Sequence, residues 1–250
     1  MTGTVKQKGK GGGSLSELRG EARRMASPAK ARILSGFFKT GPGEYGEGDV
    51  FIGLTVPQSR QIAGKYLHLG LPGAAALLQS AVHEERLMAL LILVRLYAAG
   101  GQETRAAVYR FYMAHAGRIN NWDLVDLSAP KIAGPYLEKR SRAPLFKLAA
   151  SSDIWERRIA VVSCHHFIRN SDFADFLKIS RSLLGDGHDL IHKAVGWMLR
   201  EAGKRDKTVL EGFLKRHAAD MPRTMLRYAI EKMPRHERSA WLESSRKGRG

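Results

Sequence analysis

Apolar residues recur at three- and four-residue spacing along most of this chain, with charged and polar positions between them. That period is helical. Pro57–His68, Pro72–Ser80, Glu84–Ala99 and Glu103–Ala116 show it in succession, punctuated by Gly70, Gly73, Gly100, Gly101 and Gly117. The alternation runs on to the end, with breaks predicted near Gly134-Pro135, Ser151-Ser152, Asn170, Gly185 to Gly187, Pro222 and Pro234. Upstream, Ser14 or Ser16 is placed to cap a helix ending near Met25, and Ser27-Pro28 opens another ending near Lys39. The Gly-rich stretch Thr40–Asp49 has neither the acidic spacing of a calcium loop nor the lysine of a phosphate loop, and it reads as a shaped surface turn. Alternating β-type runs are nearly absent, so the predicted class is all-α.

The pattern also repeats weakly. Glu85–Leu90, Arg157–Val162 and His192–Trp197 superpose, each with a basic residue followed by a small and apolar run. Arg86, Trp122, Arg158 and Lys193 recur at roughly 35-residue steps, near the period of paired-helix repeats. This predicts a HEAT/armadillo-like α-solenoid of antiparallel helix pairs with a concave basic face. Residues 15–245 form its single repeat domain, and residues 1–14 are a disordered Gly- and Lys-rich tail.

Composition changes the picture in three ways. Of the 250 residues, 44% are hydrophobic, enough to build a core. The formal net charge of +17 points to a polyanionic partner: DNA, RNA or an anionic membrane surface. The single cysteine, Cys164, excludes an internal disulfide framework and fits a reducing compartment. The lysine-bearing N-terminus has no apolar signal region, and the longest apolar run, Leu87–Val94, is too short for a bilayer and reads as a buried helix. A soluble, cytoplasmic, monomeric protein is expected.

The candidate chemistry lies in three stretches. Asn120 to Asp126 places Trp122 and Asp126 four apart, on one helical face. Ile154 to Arg158 supplies Arg157 and Arg158. Lys193 to Arg200 sets Lys193, Trp197 and Arg200 on one stripe. Stacked repeats would bring all three to one concave surface, with Arg86 joining by repeat position. Taken alone, Trp122 and Trp197 serve equally well as core anchors, and Asp126 as a salt-bridge partner. Trp155 reads as core. Gly196 reads as a point where a helix or DNA comes close. Cys164-His165-His166 is not expected to hold a metal, because neighbours on a helix point different ways. His83-Glu84-Glu85 reads as a solvated helix start.

These motifs resemble the AlkD-like DNA alkylation repair glycosylases. Phe51–Pro57 with Arg60, Trp122–Asp126, Asp153–Arg158 and Lys193–Glu201 carry the likeness, over about residues 20 to 235. The resemblance implies a HEAT-like fold and removal of cationic alkylated purines, chiefly 3-methyladenine and 7-methylguanine, from double-stranded DNA. It implies Asp126 as the catalytic carboxylate, Trp122 and Trp197 as aromatics flanking the damaged nucleotide, and Arg158 and Arg200 as phosphate contacts. Arg86, Arg157 and Lys193 are further DNA-contact candidates. The sequence departs from the family pattern at Asn121, where an aromatic stands, and around Ile33, where an aromatic is also missing. Both bear on substrate range and rate.

The chemistry such a site performs follows from charge. Glycosidic cleavage passes through an oxocarbenium-like sugar. A base already cationic leaves as a neutral molecule, so one anion suffices to stabilise the sugar and orient water. No metal or organic cofactor is expected. The alternative is a non-catalytic HEAT-like module that binds damaged, bent or branched DNA. A protein-scaffolding solenoid fits the charge less well.

Overall fold

The computed structural model describes residues 13–247. Sixteen α-helices run through them, linked by turns and short 3-10 segments, and among the described residues no strand forms beyond one isolated bridge between Val50 and Val82. The all-α expectation holds. The chain divides into two compact units, one up to Leu96 and one from Tyr97.

In the first unit, α1 (Leu15–Arg24) starts from a capping box: the Ser14 hydroxyl accepts the Glu17 N–H while Glu17 accepts the Ser14 N–H. Ser27 caps α2 (Pro28–Phe37), with Pro28 at a first-turn position. No residue of α2 is buried, and Ile33 and Phe37 stand out in solvent. Thr55 and Gln58 make a second capping box at α3 (Val56–Lys65). α4 (Gly70–Leu78) leads to α5 (His83–Ala99), whose first eleven residues are all buried. The apolar run inside α5 is therefore the core helix that its hydropathy predicted.

The start of α5 corrects one expectation. His83, Glu84 and Glu85 are buried, not solvated. The Glu84 carboxylate accepts the N–H groups of Ile52, Gly53 and Leu54, with the shortest contact 2.8 Å to Gly53. Gly53 has φ +83°, and a Cβ there would lie 2.1 Å from the Ser27 carbonyl, so only glycine fits. Glu85 takes an ion pair from Arg19 at 2.9 Å. The loop before it is likewise not all surface, because Asp49 turns inward to His83 and Arg86.

The second unit contains α6 (Gln102–Ala114), α7 (Trp122–Ser128), α8 (Ala133–Tyr136), α9 (Ala143–Ala149), α10 (Ile154–Ser163) and α11 (His165–Arg169). It continues with α12 (Ala174–Ser182), α13 (Asp189–Arg205), α14 (Lys207–His217), α15 (Arg223–Ala229) and α16 (Arg235–Lys247). α10 touches α7 and α13, and α13 also lies against α11, α14 and α15. Four arginines tie this unit together across similar sequence distances: Arg142 to Asp172, Arg157 to Asp186, Arg158 to Asp126 and Arg200 to Glu231, 29 to 32 residues apart.

Two glycines set the closest approaches. A Cβ on Gly196 would lie 2.5 Å from both the Met225 carbonyl and the Tyr228 Cβ, so this glycine admits α15, a neighbouring helix. At Gly134 a Cβ would meet the Ser163 carbonyl and His166 Cβ at 2.6 Å. Gly134-Pro135 is thus not the break its composition predicts. It lies inside α8, with Pro135 in the first turn, where a missing N–H costs little. The breaks at Ser151-Ser152, Asn170, Gly185 to Gly187, Pro222 and Pro234 do separate helices. The predicted tail, residues 1–14, lies mostly outside the described residues.

Candidate active site

α7 begins at Asn121, which is fully buried and whose side-chain oxygen accepts the Trp122 N–H at 2.8 Å. The residue that departs from the family pattern is thus a helix cap. Trp122 and Asp126 follow at i and i+4, both half-buried on one face. Beneath the helix, the buried Tyr112 hydroxyl meets Ser128 Oγ at 3.0 Å, and Ser128 Oγ donates to the Leu124 carbonyl at 2.6 Å. Burial pushes the Tyr112 phenol up, so it stays a neutral prop.

Asp126 is held in both its oxygens by Arg158. Arg158 Nε donates to Oδ1 at 3.0 Å and Nη2 to Oδ2 at 2.8 Å, a bidentate fork. The third branch, Nη1, donates to the Leu190 carbonyl on α13 at 2.7 Å. One guanidinium on α10 therefore pins α7 and α13 together. The arginine side chain is only 6% exposed, whereas the carboxylate is 21% exposed. Burial raises the Asp126 pKa, Arg158 opposes the rise, and Asp123 adds to it.

Trp197 lies half-buried on α13, with its ring 6.1 Å from that of His165. Trp155 is buried in the core, as expected for it. The two histidines of Cys164-His165-His166 diverge: His165 faces Trp197 and His166 faces Glu138. Cys164 is buried, its thiol donates to the Ala160 carbonyl, and burial pushes its pKa up. Among the described residues no group of three His, Cys, Asp or Glu side chains is arranged to hold a metal ion.

The cationic candidates separate by burial. Arg86, buried in the first unit, donates to Asp49 at 2.5 Å and to the carbonyls of Ser80 and Ala81 at 3.0 and 3.3 Å. Its expected phosphate contact is withdrawn, since every branch that could reach out is turned inward. The same reason redirects Arg158 from phosphate to carboxylate. Arg157 pairs with Asp186 at 2.6 Å and holds the Ser151 and Ser152 carbonyls, which makes it a loop staple. Lys193 pairs with Asp189 at 2.7 Å on the helix surface, and Arg200 with Glu231. Of the five, Lys193 is the most exposed. Sequence reasoning missed two parts of the site. One is the Leu190 carbonyl, which carries no side-chain signal. The other is His165, whose position one repeat before Trp197 was available as a clue.

A carboxylate one-fifth exposed, gripped by a buried arginine and four residues from Trp122 on one helix of an all-helical scaffold, is the polar feature around which the candidate site is built. The chain belongs to the family of DNA alkylation repair enzymes, whose family model matches residues 18–233. It is similar to the solved structure of a predicted DNA alkylation repair enzyme from Enterococcus faecalis, at 18% identity and a TM-score of 0.68, over 84% of this chain and 98% of that one. It is also similar to the crystal structure of smu.31 from Streptococcus mutans UA159, at 18% identity and a TM-score of 0.51, over 72% of this chain and 93% of that one. At such identities these likenesses speak for the fold. No curated protein matches the chain. No helix among the described residues is long and apolar enough to cross a membrane.

Proposed function

We propose that this protein is a monofunctional DNA glycosylase, hydrolysing the N-glycosidic bond of cationic alkylated purines such as 3-methyladenine and 7-methylguanine in duplex DNA and leaving an abasic site. The observation that carries the reading is Asp126: a carboxylate left one-fifth open, oriented in both oxygens by a buried arginine, on the same helical face as Trp122. The family membership and the net charge of +17 supply the DNA context.

In this reading the alkylated base departs neutral and needs no acid. Positive charge develops on the sugar, and Asp126 stabilises it and orients the attacking water. Arg158 positions the carboxylate and holds it against the site; it does not touch DNA. Trp122 and Trp197 present π faces to the cationic nucleotide, an attraction of about 0.5–2 kcal/mol each. Lys193 and Arg200 take backbone phosphates by exchanging their present carboxylate partners. The same reading includes a HEAT-like solenoid with a basic concave face, a monomer in the cytoplasm and no cofactor.

A second reading has a specific observation behind it. The bidentate Arg158 contact satisfies much of Asp126, as a purely structural ion pair would. The protein would then bind damaged or bent DNA without cutting the glycosidic bond. Release of free base from duplex DNA carrying 7-methylguanine, with native protein and with Asp126→Asn, separates the two. Release that drops about 10²–10³-fold in the variant supports catalysis by this carboxylate. Salt-sensitive DNA binding without release of 7-methylguanine or 3-methyladenine selects the binding module. Release that survives the substitution means that another group does the chemistry.

A further inference from the structure

The arginines of the second unit differ in what holds them. Arg142, Arg157, Arg158 and Arg200 are each committed to a carboxylate. Arg169 and Arg205 are not. Both are exposed, and among the described residues neither guanidinium has a hydrogen-bond or ion-pair partner. They are not scattered, for both line one cleft of about 350 Å³ between α11 and the C-terminal part of α13, together with His165, Ile168, Glu201 and Lys204.

This cleft adjoins the proposed site. His165 is common to both, lying against the Trp197 ring while lining the cleft. On α13, Trp197, Glu201 and Lys204 stand at i, i+4 and i+7, and Arg205 at i+8, so the indole and the cleft share one stripe. The cleft holds three cations against one carboxylate. Glu201 is already bonded to Lys204 at 2.7 Å, which leaves Arg169 and Arg205 as the surplus. Burial lowers the His165 pKa, and Arg169, Lys204 and Arg205 lower it further against the opposing pull of Glu201.

Two unpartnered guanidinium groups lining one cleft offer the forked donors that a phosphate takes, and no internal ion pair has to be broken to bind one. We infer that the α11–α13 cleft holds a backbone phosphate of the bound DNA, through Arg169 and Arg205, on the strand running away from Trp197. The inference rests on the DNA reading above. Seven to eight residues of helix span about 10.5–12 Å at a rise of about 1.5 Å per residue. With a duplex rise of about 3.4 Å per nucleotide along a strand, the contact lies about three nucleotides from the damaged one. A cleft between α12 and α14 carries Lys178, Arg181, Arg216 and His217 but includes no residue of the proposed site. It serves as a charge-matched control.

The test uses the full-length protein and a fluorescent duplex carrying one abasic-site analogue, with binding followed by anisotropy across a salt series. The Arg169→Ala/Arg205→Ala variant should bind more weakly, and its slope of log K against log salt should be shallower by about 1–2. Trimming the duplex to two base pairs on one side of the lesion, and only on that side, should abolish the difference from the native protein. Arg181→Ala/Arg216→Ala should match the native protein throughout. An unchanged slope, an equal effect in the control pair, or a difference that survives trimming on either side overturns the inference. Both substituted pairs are exposed, and circular dichroism confirms folding. Base release by a protein whose Arg169/Arg205 variant shows no salt effect defeats this inference alone. A salt effect without base release defeats the glycosylase reading alone. Absence of salt-dependent DNA binding by the native protein defeats both.

Discussion

The two units each bury an arginine at the same place in the weak sequence repeat, Arg86 in one and Arg158 in the other, and each arginine holds an aspartate. The aspartates differ. Asp49 is 5% exposed and receives both Arg86 and the His83 ring. Burial alone would raise its pKa, but the His83 hydrogen bond and the Arg86 charge bring it below the ordinary carboxylate range. Asp126 is 21% exposed, has Arg158 as its cationic partner and Asp123 nearby, and is raised. The same ion pair closes a loop when sealed from both sides. Left open on one side and short of positive charge, it is ready for an incoming cation. A perturbed carboxylate in an open setting is what a functional site tends to show.

Four experiments break or sharpen that contrast. The largest effect should come from Arg86→Ala, which strands a sealed carboxylate and should cost about 3–5 kcal/mol in denaturant unfolding. Arg158→Ala should cost less, because water reaches Asp126. Equal losses would make the two pairs alike. Next is Asp126→Asn, which should lower base release about 10²–10³-fold, with DNA affinity kept. Asp49→Asn should leave the rate of release unchanged in protein that is still folded. Third, Gly196→Ala drives a methyl group into α15 and should destabilise by about 1–3 kcal/mol, read from thermal unfolding.

The smallest effect is in pH dependence, and its two signs oppose. Asp49, depressed in the folded protein, contributes stability that is present above its unfolded value and is lost as pH falls through the folded one. Asp49→Asn should flatten the acid side of a plot of Tm against pH. Asp126, raised in the folded protein, contributes stability that is present below its unfolded value and is lost as pH rises through the folded one. Its carboxylate form disappears as pH falls through the raised value. The acid limb of the rate profile should therefore lie above the ordinary Asp range near about 3.9, and a limb at or below that value would remove the contrast.

Much of the helical framework was legible in the residues. Ser14 and Ser27 with Pro28 mark helix starts by local chemistry, and both caps form, whereas the Thr55–Gln58 capping box emerges only in the structure. The unbroken apolar run of α5 announced a buried helix. Gly134-Pro135 misled because glycine and proline are also tolerated in the first turn of a short helix. His83-Glu84-Glu85 misled because charged residues are almost always solvated unless paired, and their partners at Asp49, Ile52 to Leu54 and Arg19 lie 30 or more residues away.

The sequence by itself determined the helices, the core face of α5, the shared face of Trp122 and Asp126, and the family. All of these depend on spacings within a few residues or on motifs read in line. Only the tertiary structure decided which arginines look outward. Arg157 and Arg158 are neighbours with the same chemistry, yet one staples a loop and the other grips Asp126 across 32 residues. Arg169 and Arg205, which no motif singled out, are exposed, without a carboxylate, and lie in the cleft beside His165. A guanidinium's partner is set by which helices stack against it, and that is a property of long-range packing that no local pattern carries.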